Sequence, residues 1–322
     1  VDVERLLSGL RESGAMKNTI VVMADIFDSL TQSYLAPYAA CAMAEYLWYN
    51  NEDAIIIYDD LTSHAEAYRQ LSLLQEVDPG RDSYPGDMFY AHSSLLERAG
   101  KLLKSGKTLT ALPVVITPND DITAYLSTSI MSITDGQIIF DLGVFRQGIR
   151  PAVNAGLSVS RVGGQAQTVR QKRLSGTLFQ RLAKYHQAEE FSHFGSSLSK
   201  DATIDLKVGK QIYEALQQPA EERHSLTTQQ LFLETILLGG GTTEIDIPAL
   251  KKSAEELSHK VKSEEDFDRY EAELLKKHGR KILEETKPDE AAKPEENPAQ
   301  GKPDDKAGND KAKDKEKEKV AK

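Results

Sequence analysis

A single cysteine, Cys41, stands among 322 residues, which excludes an intramolecular disulfide framework and fits a reducing compartment. It lies in the apolar stretch Ala39–Met43, where a small core side chain is the expected use. Long hydrophobic runs are also missing. None approaches the roughly 18 residues of a membrane span, and no charged-then-apolar leader opens the chain, so a soluble, unexported chain is expected. The 7 histidines are scattered without HExxH or Cys/His spacing, which leaves no structural metal site in the pattern. Nor is there a basic excess: a formal net charge of -10 argues against nucleic acid as the main partner.

What remains is ordinary globular material, 39% hydrophobic and 28% charged. The length exceeds the roughly 250–300 residues at which a single core stops growing, so more than one domain is expected. The chain starts at Val1, directly before a helical pattern over Val3–Ser13, which suggests a truncated reading frame or a fragment.

From Ile20 to about Arg161, short apolar runs alternate with helical patterns, the signature of an α/β parallel sheet with covering helices. The expected strands are Ile20–Asp25, Ala54–Tyr58, Leu112–Thr117, Gln137–Asp141 and Gly156–Val162, apolar enough to be buried on both faces. Ser63 and Glu66 form a capping-box pattern for a helix to about Gln75, and another helix is expected over Met88–Lys104, stopping at Gly106. The segment Asp78–Asp87 is rich in Pro and Gly and reads as a loop.

After Gly164 the period changes. Helical patterns cover Gln167–Glu190, Lys200–Gln217, Thr227–Leu238, Pro248–Lys262 and Glu264–Leu283, and Gly239-Gly240-Gly241 closes one of them. From Thr286 to Lys322, ten Lys face ten Asp or Glu with no aromatic, a composition expected to stay disordered. The resulting division is 1–164, 165–285 and 286–322.

Three motifs bear on chemistry. The run Ala54-Ile-Ile-Ile-Tyr-Asp-Asp60 ends a strand in two carboxylates, at the sheet edge where α/β proteins bind ligands. An Asp at that place holds nucleotide magnesium in P-loop enzymes; two solvated acids at a strand end are the other reading. A Walker A loop is missing. Gly9 and Gly14 have the glycine separation but lead into Ala15-Met16, and Ser105-Gly-Lys-Thr108 has the right ending but Lys101 where a glycine is needed. Finally, Gly148-Ile-Arg150-Pro through Ser158-Val-Ser-Arg161-Val-Gly-Gly164 ends a strand in an arginine beside glycines. That arginine either pairs with a nearby Asp or offers its charge to a phosphate in trans.

Taken with Ala15-Met-Lys-Asn-Thr-Ile-Val-Val, Tyr34-Leu-Ala-Pro-Tyr, Ala67-Tyr-Arg-Gln, Tyr84-Pro-Gly-Asp, Leu95-Leu-Glu-Arg, Leu109-Thr-Ala-Leu-Pro and Ile133-Thr-Asp-Gly-Gln, these segments resemble the alpha-subunit family of bacterial rotary, proton-translocating ATP synthases. The resemblance is nearly continuous from Ala15 to about Leu238. It implies a RecA-like nucleotide-binding domain, here partial, followed by an all-α domain that packs round a rotating stalk.

By that resemblance, Asp59 and Asp60 face the magnesium of a non-catalytic Mg-ATP site through water, and Gln218 lies near the adenine. Arg161 is the arginine finger entering a beta subunit's catalytic site, with Ser158 in the same strand and Ser132 and Gly136 on the phosphate side of that interface. The implied cofactors are ATP or ADP and magnesium. The implied partners are beta, gamma and delta subunits, with the membrane proton channel reached indirectly, at the cytoplasmic face of the plasma membrane.

The sequence departs from the pattern at Ala220, where a second adenine-side glutamine is usual, and at His193, which replaces a glutamine and reads as a packed helix histidine. Without a phosphate loop, the isolated chain is expected to be inactive. Two alternatives stand beside this reading: another RecA-like hexameric motor (secretion or transcription termination), and a degenerate scaffold without a nucleotide role.

Overall fold

The computed structural model describes residues 3–25, 27–193 and 199–281, all within one compact unit spanning Val1–Ile282. The charged tail from Thr286, the Phe194-Gly195-Ser196 segment and the side chain of His193 lie outside the described residues.

The chain opens with α1 (Val3–Glu12) and then α2 (Leu30–Tyr49), whose N-terminus is closed by a reciprocal pair: Ser29 accepts from the Gln32 amide, and Gln32 accepts from that of Ser29. α2 carries Pro37 in its interior, a residue that hides a helix from pattern reading. Next come β1 (Ala54–Tyr58), α3 (Leu61–Leu74), α4 (Met88–Leu96), β2 (Gly100–Lys101) and β3 (Thr108–Pro113). β1 runs parallel to β3 with Ala54 opposite Leu109, and β2 pairs antiparallel with β3 on its other side.

One face of β1 is buried and the other is not. Ala54, Ile56 and Tyr58 pack with Cys41, Ala44 and Trp48 of α2 and with Leu95 and Leu96 of α4. Ile55 and Ile57 point the other way and remain 70% and 63% exposed. The expectation of a sheet buried on both faces therefore holds for one face only, since among the described residues no second layer covers the other. Cys41 is a buried core residue, as its neighbours suggest.

Several boundaries move for local reasons. Ile20–Asp25 stays outside any strand, with no strand beside it to bond among the described residues. The strand expected at Leu112–Thr117 begins earlier and ends at Pro113, and the chain beyond it continues through single bonds, Val114 N–H to the Tyr58 carbonyl at 2.9 Å and Leu61 N–H to the Val114 carbonyl at 3.0 Å. The helix expected to reach Lys104 ends at Leu96; Gly106, at φ 71, turns the chain between β2 and β3. Asp60 rather than Ser63 caps α3, its carboxylate accepting from the Ser63 amide at 2.6 Å.

Next come α5 (Tyr125–Ile133), β4 (Gly136–Gln137), α6 (Leu142–Arg146) and β5 (Val159–Ser160), β4 and β5 pairing over only two residues each. The remainder is helical: α7 (Val169–His193), α8 (Lys200–Leu216), α9 (Leu226–Gly239), α10 (Ile247–Ser258) and α11 (Glu264–His278). Two short strands absent from the pattern reading, β6 (Thr243–Ile245) and β7 (Gly279–Lys281), pair antiparallel and end α11 earlier than expected. α9 is the central element. It buries Leu231, Phe232 and Ile236 against Val208 and Ile212 of α8, Leu250 of α10 and Leu274 of α11. Each such side chain contributes about 1.5–3 kcal/mol of transfer free energy. Gly240, left-handed at φ 59, terminates α9 within the expected glycine triplet.

Arg170 of α7 crosses this helical layer. Its guanidinium donates to Glu234 of α9 at 2.7 Å and to Asp268 of α11 at 2.9 Å, and also meets Glu264 and Glu271. No helix among the described residues is long and apolar enough to cross a membrane.

Candidate functional site

Ser132, Gly136, Ser158 and Arg161 come together at one place. β4 brings Gly136 opposite Ser160, so close that a Cβ at Gly136 would lie 2.5 Å from the Val159 carbonyl oxygen. Only glycine allows β5 that approach. Arg161 follows β5 directly. Its backbone N–H donates to the Asp135 carbonyl at 2.8 Å, and Nη2 donates to the Met131 carbonyl at 3.0 Å, at the end of α5. The side chain is exposed, and one of its five N–H donors is used, leaving the others without a partner among the described residues. The first of the two readings left open by the sequence, pairing with a nearby Asp, does not occur among the described residues. Ser132 is exposed too, its hydroxyl donating to the Ser129 carbonyl at 2.7 Å.

Ser158 sits differently. Its half-buried Oγ donates to the Asn154 carbonyl at 2.7 Å and accepts from the Ile139 amide at 3.0 Å. Both hydroxyl functions are spent inside the loop, so this residue shapes the approach to Arg161.

Asp59 and Asp60 form a second group at the carboxyl end of β1. Asp59 is exposed and has no hydrogen-bond partner among the described residues, whereas one oxygen of Asp60 is committed to capping α3. Two adjacent carboxylates offering a free set of oxygens suit a hard cation such as magnesium held partly through water. Among the described residues no group of three or more metal-ligating side chains forms. The rejected phosphate-loop fragments are accounted for: Lys107 is a turn residue paired with Asp53 at 2.9 Å, and Gly14 leads into a short 3-10 turn.

Gln218 makes a third position. Its N–H donates to the Arg150 carbonyl at 2.8 Å, tying the end of α8 to the loop that leads to β5, and its side-chain amide donates to the Glu222 carbonyl. Around it lies a charged set the sequence reading missed. His224 hydrogen-bonds Glu222 at 2.6 Å, and Lys251 donates to the Gln217 carbonyl at 2.6 Å. Burial alone would raise the Glu222 carboxyl, but His224 and Lys251 outweigh it and hold it below the ordinary range. Residues 34 positions apart in sequence, such as Gln217 and Lys251, give no local signal of such a contact.

Residues 1–160 match the family model described as ATP synthase alpha/beta family, nucleotide-binding domain, and residues 167–288 match ATP synthase alpha/beta chain, C terminal domain. The chain belongs to the ATP synthase alpha/beta family. Its similar relatives include the ATP synthase subunit alpha of Clostridium botulinum (strain Eklund 17B / Type B), 45% identical over 88% of this chain and 54% of that protein. The ATP synthase subunit alpha of Petrotoga mobilis (strain DSM 10674 / SJ95) is 50% identical over 67% of this chain and 43% of its own length. The chain thus spans about half the length of the curated relatives it matches. As a member of the ATP synthase family it joins a nucleotide-binding region to a helical C-terminal region, in the order the sequence suggests.

Proposed function

We propose that this chain acts as the non-catalytic, alpha-type subunit of a proton-coupled ATP synthase head and serves its neighbour through Arg161. The guanidinium enters the catalytic site of an adjacent beta-type subunit, where it stabilises charge on the transferring phosphoryl group. Arginine fingers contribute about 10³–10⁵ in rate where they have been measured. The observation that carries this reading is an exposed guanidinium at a strand end, braced by one carbonyl and with its remaining donors open. Ser132 and Gly136 flank it, and Ser158 holds the loop behind it.

Asp59, with Asp60, takes the magnesium side of the subunit's own nucleotide site, and Gln218 the base side. Bound Mg-ATP would supply charge neutralisation and an ordered interface there, while this chain's residues orient it. Residues 1–164 form the nucleotide-binding part and 165–285 the helical domain facing a gamma-type central stalk, while 286–322 lie outside the described residues. A delta-type peripheral stalk and the membrane proton channel complete the assembly, at the cytoplasmic face of the plasma membrane.

The test uses the complete subunit assembled with its beta-type partner. Arg161→Ala should cut steady-state ATP hydrolysis by about 10³-fold or more, while nucleotide titration changes little. Near-normal turnover would remove Arg161 from the mechanism.

A further inference from the structure

The two-residue pairing of β4 with β5 is too short to fix Arg161 by itself. A single side chain supplies what the ladder lacks. Asn154 Oδ1 accepts from the Gly156 amide at 3.0 Å and the Leu157 amide at 3.1 Å, closing the turn that enters β5. Its Nδ2 donates to Asp141 Oδ2 at 2.9 Å. Its backbone N–H donates to the Ile139 carbonyl at 2.8 Å, and its carbonyl accepts from Ser158 Oγ at 2.7 Å. Asp141 is anchored in turn: Oδ1 caps α6 through the Gly143 amide at 2.6 Å and the Val144 amide at 3.2 Å. Its carboxyl is held below the ordinary range, first by the Asn154 amide and then by the Val144 N–H.

We propose that Asn154, clamped by Asp141, is the positioning residue of Arg161: it sets the height and direction at which β5 delivers the guanidinium to the neighbouring subunit. This rests on the reading that Arg161 acts in trans. Asn154 touches no reacting atom. It acts through the turn Asn154–Ser158, three residues before the arginine, by removing alternative paths for that turn. A positioned group is worth far more in the transition state than one that must be caught from a mobile loop, and small displacements cost heavily.

The chemistry of the clamp gives a rescue design. Asn154→Asp keeps an oxygen for the Gly156 and Leu157 amides but removes the donor, setting two carboxylates against each other. Adding Asp141→Asn restores one donor and one acceptor with the roles exchanged, and the amide oxygen at position 141 can still cap α6. Three readouts apply to each variant: amide hydrogen exchange at Ile139, Gly156 and Leu157, nucleotide titration, and kcat and KM for ATP in the complete subunit assembled with its beta-type partner. Arg161→Ala is measured in parallel.

Asn154→Asp should speed exchange at those amides and lower kcat by about tenfold, the scale of one lost hydrogen bond to a charged group, with KM and nucleotide affinity changed less than about twofold. Lowering the pH should return part of the loss, as one of the facing carboxyls takes a proton. The double variant should restore exchange rates and most of kcat. If Arg161→Ala is inactive and Asn154→Asp turns over normally, the positioning role is overturned while the proposed function stands. If Arg161→Ala turns over normally, the proposed function falls first. Unchanged exchange in Asn154→Asp, or a double variant no better than the single, would also overturn the clamp.

Discussion

Apolar side chains before Gly163 and those after it meet different surroundings. In the helical part, the large apolar residues left exposed are few, namely Val169, Phe179, Phe191, Leu216, Leu226 and Leu238 among the described residues. In the nucleotide-binding part they are more numerous and spread over helices, loops and the sheet, where Ile55 and Ile57 on β1, Leu112 on β3, and Val114 and Ile116 just beyond it stand exposed. The helical part closes its core round α9, while the sheet presents one finished face and one open one. The region that carries the exposed Arg161 is thus the less self-contained of the two.

The largest expected effect on stability sharpens that contrast. One guanidinium, Arg170, faces four acidic side chains, so Arg170→Leu would leave the Glu234 carboxylate buried without a counter-charge, a loss of about 3–5 kcal/mol. Hydrogen exchange should show α9 and α11 losing protection while β1 and β3 keep theirs. Equal loss in both regions would mean that they unfold as one unit and that the contrast is only one of surface.

Acidification should move the two regions in opposite directions. In the nucleotide-binding part, His64 and His92 are buried with ring nitrogens 3.3 Å apart, His64 is stacked with Tyr34, and their outer ring nitrogens have no hydrogen-bond partner among the described residues. Burial pushes both imidazoles down to about 4 from 6.5. The unfolded chain therefore binds more protons between those values, so stability is full above pH 6.5 and is lost as pH falls toward 4, by up to about 1.4 kcal/mol per pH unit for each imidazole. In the helical part, burial and the Glu234 carboxylate push Glu271 up to about 8 despite Arg170, because one cation cannot neutralise four acids. A raised carboxyl contributes stability that is complete below its unfolded value near 4.5 and fades as pH rises through 8. Denaturation followed by region-resolved exchange at pH 7 and pH 5 should show β1 weakening and α11 strengthening. His64→Gln should shrink the first change, and a common shift in both regions would refute the assignment.

Smaller effects come from two glycines within the helical part. A Cβ at Gly209 of α8 would lie 2.2 Å from the ring of Tyr185 on α7, so Gly209→Ala should destabilise by about 1–3 kcal/mol. Gly176 in α7 has open space around it, and Gly176→Ala should stabilise by about 0.5–1 kcal/mol. Thermal melts of both variants would check the closeness of α7 to α8, and a harmless Gly209→Ala would contradict it.

These contrasts also mark what could be read in the sequence. β1 was legible to the residue, since an apolar run capped by Asp59 and Asp60 has few other uses. The helices of the second part were legible through their period, and the structure adds that Ser199, Ser225 and Ser263 cap three of them. Hidden features depended on neighbours. Ile20–Asp25 has strand composition but no strand to bond among the described residues, and α2 was masked by Pro37. The Arg170 cluster joins residues 64 to 101 positions apart, and the Asn154 clamp joins a common Asn to a common Asp across 13. In the candidate site, Arg161 stood out by its glycine-flanked strand, whereas Ser158 proved to be occupied by its own loop.

The central claim concerns where the Arg161 guanidinium goes once a neighbour is present. A structure of the complete subunit assembled with its beta-type partner, with nucleotide on that partner, would settle it through one distance. An Arg161 nitrogen should lie within about 2.7–3.2 Å of a phosphate oxygen on the neighbouring subunit. A guanidinium still folded onto the Met131 carbonyl, with no phosphate in reach, would contradict it.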